Sequence, residues 1–323
     1  MRVLITGAHG FIGGAIARRL EEDPSMEIFA ASRSPRAPQG RVLPVQLDLL
    51  DPGSLDRALP GADAVIHCAY GDRASTVEGT RNLLAWARKA GVPRLVHLSS
   101  IAVYGPATGE VTESHPRVPP TGGDYAAWKS EAEALCEAAT QTGTVLLRPT
   151  IVHGAGSALW VTKMARRLQV GAIGDLGPAG EGLCNLVHVR DVAEAAVAGL
   201  TGRPGTYNVN GPGINSTGAI TWNEYFARLA RAAGLPLPRL SSASLRLRDL
   251  AAFPVKALGK LLPPLRGALP ARLLETPLPA ERKLYALRAT YPVAKAAEGL
   301  GWSPRIGLDE GIAEGASWWR QAQ

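Results

Sequence analysis

Short apolar runs alternate with longer amphipathic stretches over the first 150 residues of the chain. Each run is apolar on both faces, as strands are when they lie buried inside a parallel sheet. The apolar runs occupy residues 3–6, 28–31, 64–67, 95–98 and 145–147. The stretches between them have helical periodicity, most clearly at residues 11–22, 76–90 and 125–142. This alternation predicts an α/β fold with a doubly wound parallel sheet and helices on both of its faces.

The composition of the chain changes beyond residue 150, where glycine, proline and loop-like segments become frequent. Short strands are still expected at residues 186–189 and 206–209. We therefore predict two domains. The first covers residues 1–150, with further sheet elements from 185–210, and residues 151–323 mostly form a smaller α/β domain.

The segment 244–274 combines many leucines and several prolines with an excess of positive charge. Its basic residues are Arg246, Arg248, Lys256, Lys260, Arg266 and Arg272. We interpret the segment as a helical cover on the second domain. The alternatives are a lid over a hydrophobic substrate and a surface helix pair that touches anionic lipid. Contact with a membrane is not expected, because the prolines would break any long amphipathic helix.

Composition points to a soluble protein of the cytoplasm. The 323 residues are 46% hydrophobic and 20% charged, and they contain no apolar run long enough to span a membrane. The first apolar run is too short for a signal peptide. Cys68, Cys136 and Cys184 lie far apart, which favours reduced thiols over disulfides or a zinc site. The six histidines show no ligand spacing, so no metal is expected.

The net charge of +7 raises the question of nucleic-acid binding. The basic residues are spread along the chain, and no nucleic-acid module is recognisable. A solvated surface with anion sites for a phosphorylated small molecule explains the excess more simply. We therefore expect a small-molecule substrate and no nucleic-acid partner.

A glycine-rich turn follows the first apolar run and opens the first helix. It reads TGAHGFIG, with Gly7, Gly10 and Gly13 at intervals of three and with Phe11 and Ile12 between the last two. Glycines let the backbone approach a pyrophosphate closely, and a helix N-terminus supplies N–H donors. The context of strand, turn and helix therefore predicts a dinucleotide site.

The end of the second strand indicates which dinucleotide is bound. An acidic residue there would bind the ribose 2′-hydroxyl of NAD and repel a 2′-phosphate. The chain has Ser32, Arg33 and Arg36 instead, with no acid among residues 30–36. These side chains could hold a phosphate, so NADP is predicted in preference to NAD.

Tyr125 and Lys129 form a YxxxK pair on the predicted helix 125–142. Residues four apart lie on one helix face, so the phenol and the ammonium point into the same space. A free tyrosine has a pKa of about 10, and a nearby cation is expected to lower it towards neutral pH. The pair is therefore a candidate for proton transfer.

Four ordered motifs resemble the extended branch of the short-chain dehydrogenase/reductase superfamily. They are the glycine turn, the segment SSIAVYG that begins at Ser99, the YxxxK pair, and LRPTIVHG, which contains Pro149 and Val152. The resemblance implies a Rossmann-type sheet in which Ser100, Tyr125 and Lys129 are catalytic. It also implies cofactor contacts at Ser99, Tyr125, Lys129, Pro149 and Val152. Asp48 and Leu49 match the position beside the adenine, and Cys68 and Ala69 match a loop that flanks the cofactor.

The family resemblance leaves the reaction open between three classes. Cys184 stands where sugar epimerases of the family have an arginine that clamps the substrate diphosphate, although Arg190 or Arg266 could substitute. We therefore predict an NADP(H)-dependent oxidoreductase, such as a ketoreductase, acting on a carbonyl or secondary alcohol. A nucleotide-sugar epimerase and a non-catalytic cofactor-binding protein are the alternatives. The resemblance also implies a homodimer formed through the YxxxK helix and the helix before it.

Overall fold

A computed structural model describes residues 1–38, 40–58, 61–139, 142–212 and 219–323. These ranges contain thirteen strands, and seven of the thirteen form one parallel sheet. The strands are β1 (Arg2–Thr6), β2 (Glu27–Ser32), β3 (Val42–Gln46), β4 (Ala64–His67), β5 (Arg94–Leu98), β6 (Gly109–Glu110), β7 (Gly143–Pro149), β8 (Ile151–His153), β9 (Leu183–Cys184), β10 (Leu186–His188), β11 (Gly205–Val209), β12 (Ile220–Thr221) and β13 (Ala289–Thr290).

Twelve α-helices lie between and after these strands in the described ranges. They are α1 (Phe11–Glu21), α2 (Pro52–Ala58), α3 (Gly79–Lys89), α4 (Tyr125–Ala138), α5 (Lys163–Gln169), α6 (Val189–Ala198), α7 (Trp222–Ala233), α8 (Ser242–Leu261), α9 (Ala271–Glu275), α10 (Pro279–Leu284), α11 (Ala294–Leu300) and α12 (Leu308–Gln321). Short 3-10 turns occupy Ile101–Tyr104, Gly177–Gly180 and Pro263–Ala268, and π-helical turns occupy Ala74–Glu78 and Ala158–Thr162.

The order of the large sheet is β3-β2-β1-β4-β5-β7-β11, and all of its neighbouring strands are parallel. This is the Rossmann-type doubly wound arrangement, so the predicted fold class is confirmed. Each of the five apolar runs lies within a strand of this sheet. The apolar pattern does not mark β3, an edge strand on which every side chain is at least partly exposed.

Successive side chains along the strands pack alternately into two separate hydrophobic layers, one on each face of the sheet. Val3 and Ile5 point to the side covered by α1, α6 and α11. Leu4, between them, points to the side covered by α2, α3 and α4. Successive residues of a strand face opposite sides of the sheet, so a fully apolar run is needed when helices cover both.

A third hydrophobic cluster lies outside the large sheet and organises much of the second half of the chain. Its centre is aromatic, formed by Trp222, Tyr225 and Phe226 of α7 together with Tyr285. The Trp222 and Tyr285 ring centroids lie 4.5 Å apart. Helices α5 and α12 pack on the same cluster. The division at residue 150 into two domains stays a prediction.

Three local features differ from the sequence-based expectations. Residues 186–189 do not join the large sheet, because β10 pairs with β8, which gives it a separate parallel edge. The helix predicted at 125–142 ends at Ala138, and residues 140–141 of that range lie outside the described residues. The helix predicted at 76–90 begins with a π-helical turn and becomes α-helical only at Gly79.

The expectation that proline would break a helix in the 244–274 segment is wrong for Pro254. Helix α8 is 20 residues long and continues through Pro254. Proline deprives the carbonyl of Leu250 of its usual donor. Leu250 is 75% exposed, so water on that side of the helix can take the place of the missing N–H.

A buried ion pair joins β7 to α4. Arg148 donates to both carboxylate oxygens of Glu133, at 2.9 and 2.6 Å, and both residues are almost completely buried. Arg148 also donates to the Tyr104 hydroxyl at 2.8 Å. Arg117 contacts Glu133 from the surface side at 2.8 Å. Every charge in the cluster therefore has a partner, which is the condition for burying charge without a large penalty.

Replacing Arg148 with methionine should lower the free energy of unfolding by about 3 kcal/mol, because a buried Glu133 would lose its main partner while keeping Arg117. The double variant Arg148→Met with Glu133→Leu should lose less than the two single variants combined. Denaturant unfolding measures both effects. Arg57→Met, which removes an exposed ion pair with Asp51, is the control and should change stability by less than about 0.5 kcal/mol. Additive single effects would contradict the prediction.

Candidate active site

The sequence-predicted site residues gather at the carboxyl edge of the large sheet. Gly7 follows β1, Ser32 ends β2, Cys68 follows β4, Ser99 follows β5 and Pro149 ends β7. Because the strands are parallel, their carboxyl ends lie along one edge, which is where open α/β sheets bind ligands.

The glycine loop makes a tight turn that leaves no room for side chains. Gly7 has a φ of +70°, and a Cβ there would lie 2.8 Å from the backbone nitrogen of Ala69. A Cβ on Gly13 would overlap the carbonyl oxygen of Gly7. The N–H of Gly10 donates to that same oxygen at 2.9 Å. The loop is a cradle that only glycine can form, with the N-terminus of α1 at its end.

Phe11 and Ile12 form the first turn of α1, immediately after Gly10. The N–H groups of a first helical turn have no partner within the helix, so they are available to an anion. This cradle fits the pyrophosphate of a dinucleotide.

The loop after β4 is fastened to the end of β1. The Cys68 N–H donates to the Thr6 carbonyl at 3.1 Å, and the Ala69 N–H donates to the Thr6 hydroxyl at 3.3 Å. The Thr6 hydroxyl also bonds to the His67 ring at 2.6 Å. Cys68 and Ala69 therefore lie beside the glycine loop, and both are partly exposed.

Ser100 and Tyr125 are brought together from different elements. Ser100 caps the 3-10 turn Ile101–Tyr104, and its hydroxyl accepts from the Ala102 N–H at 3.1 Å. Tyr125 is the first residue of α4, which is capped by Asp124. The Ser100 hydroxyl lies close enough to the Tyr125 phenol to act on its pKa.

Lys129 lies one turn along α4 and is only 3% exposed. Its ammonium donates to the Leu98 carbonyl at 2.6 Å, at the end of β5. Burial lowers the pKa of Lys129 to about 8, although Cys68, Cys136 and Glu133 act in the opposite direction. The ammonium is therefore held at the sheet edge with a single protein acceptor among the described residues.

The pKa of Tyr125 differs from the expectation. Partial burial raises the pKa of the Tyr125 phenol to about 12, and the neighbouring Ser100 hydroxyl lowers it only in part. The prediction that Lys129 would lower this pKa towards neutral is wrong for this structure. The cause is that the ammonium is directed at Leu98, while desolvation disfavours the phenolate. At neutral pH Tyr125 is therefore a protonated donor.

Tyr70 is a site residue that sequence reasoning missed. Its ring lies edge-on to the Tyr125 ring, with centroids 6.1 Å apart. The Lys129 ammonium lies 5.8 Å from the centre of the Tyr70 ring. Tyr70 is 64% exposed, so it forms the outer wall of this site. Its position directly after Cys68 and Ala69 was the available signal.

The proposed phosphate-selecting residues do not all lie together. Arg36 lines a cavity of about 120 Å³ beside the glycine loop, together with His9 and Arg18, which sequence reasoning missed. Arg33 lies near Asp72 instead, a carboxyl whose pKa is lowered mainly by hydrogen bonds from Ser75 and in smaller part by the charge of Arg33. The Ser32 hydroxyl is buried without a hydrogen-bond partner among the described residues. Arg18 and Arg36 therefore bring two positive charges to the cavity, while burial and the charge of Arg36 lower the pKa of His9 and favour its neutral form.

The remaining predicted cofactor residues border the same edge. Asp48 accepts from the Leu50 N–H at 2.9 Å, and the Leu49 carbonyl accepts from Asn82 at 2.8 Å, in the loop after β3. Ser99 is buried, and its N–H donates to the Leu147 carbonyl at 2.7 Å. Val152 lies in β8, three residues after Pro149, the last residue of β7.

The position expected to bind a substrate diphosphate in an epimerase is apolar. Cys184 is buried in β9, opposite Ile220 of β12. Arg190, one possible substitute, already pairs with Glu310 at 3.1 Å and with Glu314 at 2.8 Å. Arg266, the other, lies exposed in a 3-10 turn.

Metal and membrane features can be stated for the described ranges. They hold no cluster of three or more His, Cys, Asp or Glu side chains able to bind a metal ion. No helix within them has both the length and the apolar character needed to cross a membrane.

Similar proteins include reductases and epimerases. A 2-alkyl-3-oxoalkanoate reductase of Stenotrophomonas maltophilia is 30% identical over 97% of the chain and 97% of that protein. A ceramide reductase of Caulobacter vibrioides is 28% identical over 99% of the chain and 95% of that protein. The solved structure of a UDP-glucose 4-epimerase of Thermus thermophilus in complex with NAD has a TM-score of 0.73, with 26% identity and complete coverage of both chains.

A model of the NAD dependent epimerase/dehydratase family matches residues 3–210. The match covers more than half of the chain, from β1 to the end of the large sheet at β11. It therefore includes the glycine loop, Ser100 and the YxxxK pair. The chain belongs to the NAD-dependent epimerase/dehydratase family, within the extended short-chain dehydrogenase/reductase superfamily that its motifs resemble.

Proposed function

We propose that the protein is an NADP(H)-dependent oxidoreductase that interconverts a carbonyl and a secondary alcohol. The observation that carries this proposal is that Ser100 lies against the Tyr125 phenol beside a buried Lys129, at the sheet edge next to the glycine loop. Two of the similar proteins are reductases, which supports the same reaction class.

In the proposed reaction, Tyr125 and Ser100 act on the substrate oxygen. The bound nicotinamide supplies the hydride in reduction or accepts it in oxidation. With a pKa of about 12, the Tyr125 hydroxyl is protonated at neutral pH and can give its proton to the oxygen of a carbonyl. Ser100 donates a hydrogen bond to that same oxygen and fixes its position. The protonation state of Tyr125 in the structure suits the direction of carbonyl reduction.

Lys129 supplies a positive charge one turn along α4 from Tyr125. Its ammonium has one acceptor at Leu98 among the described residues and two further protons to offer. We propose that these bind the ribose hydroxyls of the nicotinamide half.

The preference for NADP rests on the cavity beside the glycine loop. Arg36 and Arg18 line it together with His9, and a 2′-phosphate would balance the two guanidinium charges. Glu21 also lines the cavity, but its carboxylate accepts from the Arg41 N–H at 2.9 Å. Asp48, Leu49, Cys68, Ala69, Ser99, Pro149 and Val152 would border the rest of the dinucleotide.

The substrate is proposed to carry its carbonyl next to an apolar chain. The two similar reductases are named for a 2-alkyl-3-oxoalkanoate and for ceramide, both of which contain alkyl groups. Cys184, buried and uncharged, fits such a substrate better than a sugar diphosphate.

A nucleotide-sugar epimerase is the second candidate, because the fold is similar to an NAD-bound UDP-glucose 4-epimerase over the complete chain. An epimerase returns its hydride to the substrate, so it consumes no cofactor overall. Net NADPH consumption on a ketone separates the two reactions. The homodimer through α3 and α4 and the cytoplasmic location stay predictions.

Substituting Tyr125→Phe or Ser100→Ala should reduce kcat for ketone reduction by about 100-fold or more, because the proton donor or its hydrogen bond is lost. NADPH affinity, measured by fluorescence titration, should change little. Tyr207→Phe is the control, since it removes a hydroxyl that only donates to the Arg203 carbonyl. Unchanged kcat in Tyr125→Phe would rule out this mechanism.

Lys129→Met should alter the pH dependence of stability. Because burial lowers the pKa of Lys129 from 10.5 to about 8, the folded protein gives up this proton before the unfolded chain does. Wild type should therefore gain stability relative to the variant as pH rises from 8 to 10.5, by roughly 3 kcal/mol over the whole range. Parallel stability curves for the two proteins, measured by denaturant unfolding, would contradict the burial of a charged lysine.

Arg36→Ala should weaken NADPH binding by about tenfold and leave NADH binding unchanged, because only the 2′-phosphate loses a partner. Arg33→Ala is the matched control, since Arg33 lies near Asp72, and its effect should be smaller. Isothermal titration with both cofactors makes the comparison. Equal losses for NADPH and NADH in Arg36→Ala would remove this residue from the phosphate site.

A further inference from the structure

Helix α8 exposes most of its large apolar side chains, and apart from Leu245 its fully buried positions are small. The side that packs against the protein carries Leu245, Ala252 and Gly259. The outward side carries Leu250 and Phe253, which are 75% and 74% exposed. A helix that only covers a domain has the opposite arrangement, with its large apolar residues inside.

The exposed residues form one continuous surface. Positions 247, 250, 254, 258 and 261 follow at intervals of three and four, so they share one helix face. The 3-10 turn that follows extends this surface. We define the apolar face of α8 as Leu247, Leu250, Phe253, Pro254, Leu258, Leu261, Leu262 and Leu265, which are all exposed.

The charge around this face has one sign. Arg246, Lys260 and Arg266 are exposed, and none of them forms an ion pair within the described ranges. Residues 244–274 contain six basic residues and one acid, Asp249, and the acid is paired with Arg282. The apolar face of α8 is therefore bordered by positive charge that has no counterpart on the protein.

We propose that the apolar face of α8 docks the protein on the surface of a bilayer that contains anionic phospholipid. A helix of this kind lies parallel to the membrane, with its leucines and phenylalanine at the level of the upper acyl chains. The basic side chains then reach the phosphates of the headgroups. The proposal is independent of the reaction proposed above.

Two other occupants fit the observations less well. A lid over the protein's own cleft would need α8 to turn, because its inner side already packs through Leu245 into the aromatic cluster. A second copy related by a twofold axis would bring Arg246, Lys260 and Arg266 of both chains to one interface, where like charges repel. The sequence-based expectation of no membrane contact assumed that the prolines would break the helix. Helix α8 continues through Pro254, so that reason against membrane contact does not apply, and the present proposal replaces the expectation.

Sedimentation of the full-length protein with vesicles tests the proposal. One vesicle type is phosphatidylcholine alone, and the other contains phosphatidylglycerol as a third of its lipid. Binding should be stronger by about tenfold or more to the anionic vesicles, and it should weaken as salt is added.

Two variants separate the apolar from the charged contribution. The triple variant Leu250→Ser, Phe253→Ser and Leu261→Ser should reduce binding to the anionic vesicles by more than about tenfold. Lys260→Glu with Arg266→Glu should remove the preference for anionic lipid. Leu43→Ser, which alters a leucine of edge strand β3 that is 47% exposed, is the matched control and should bind like wild type. NADPH titration and thermal unfolding verify that each variant is folded.

Three results would overturn the proposal. They are no binding to anionic vesicles, equal binding to both vesicle types, and unchanged binding by the folded triple variant. A self-association that the triple variant abolishes, without vesicle binding by wild type, would assign the apolar face of α8 to a second copy instead. Loss of ketone reduction without loss of vesicle binding would count against the proposed function only.

Discussion

The close approach of the glycine loop to the loop after β4 is the constraint on which the site depends. Gly7 lies against the Ala69 backbone so tightly that a single added carbon would be 2.8 Å from a nitrogen. Thr6 fastens the same two loops through Cys68 and Ala69. This contact sets the position of the N-terminus of α1, and it places Tyr70 against Tyr125. The dinucleotide cradle and the Ser-Tyr-Lys group thus share one rigid support.

Desolvation determines the protonation states of the titratable side chains next to these two loops. It keeps His67 neutral by lowering its pKa to about 3, and Lys129 adds to that effect. The same burial lowers the pKa of Lys129 and raises that of Tyr125. An unpaired charge in such surroundings is costly, so the ammonium takes the nearest carbonyl and the phenol keeps its proton. A ligand that brings hydroxyl groups and charge into the site would change this balance.

The sequence predicted most strands of the sheet, because buried strands must be apolar on both sides. It did not predict edge strand β3, because the side chains of that strand are partly exposed. Gly7, Ser100, Tyr125 and Lys129 could be found from motif spacing, since each motif stands beside a predicted strand or helix. Arg18 could not, because only folding brings its side chain to the cavity beside the glycine loop. His9 and Tyr70 stand inside or directly after recognised motifs and were overlooked, because motif spacing does not report which neighbouring side chains face the site. The pKa of Tyr125 was expected in the wrong direction because spacing along a helix does not report burial. The outward orientation of α8 was missed for the same reason.

The last strand of the sheet comes late in the chain, and this has a consequence for synthesis. Strand β11 pairs with β7, yet more than fifty residues separate them. Until β11 emerges from the ribosome, the nascent sheet ends at β7, an open edge that carries the apolar residues Val145 and Leu147. Such an edge can pair with other chains. Cellular yield of this protein should therefore be more sensitive to translation rate and chaperone supply than its folded stability alone would indicate.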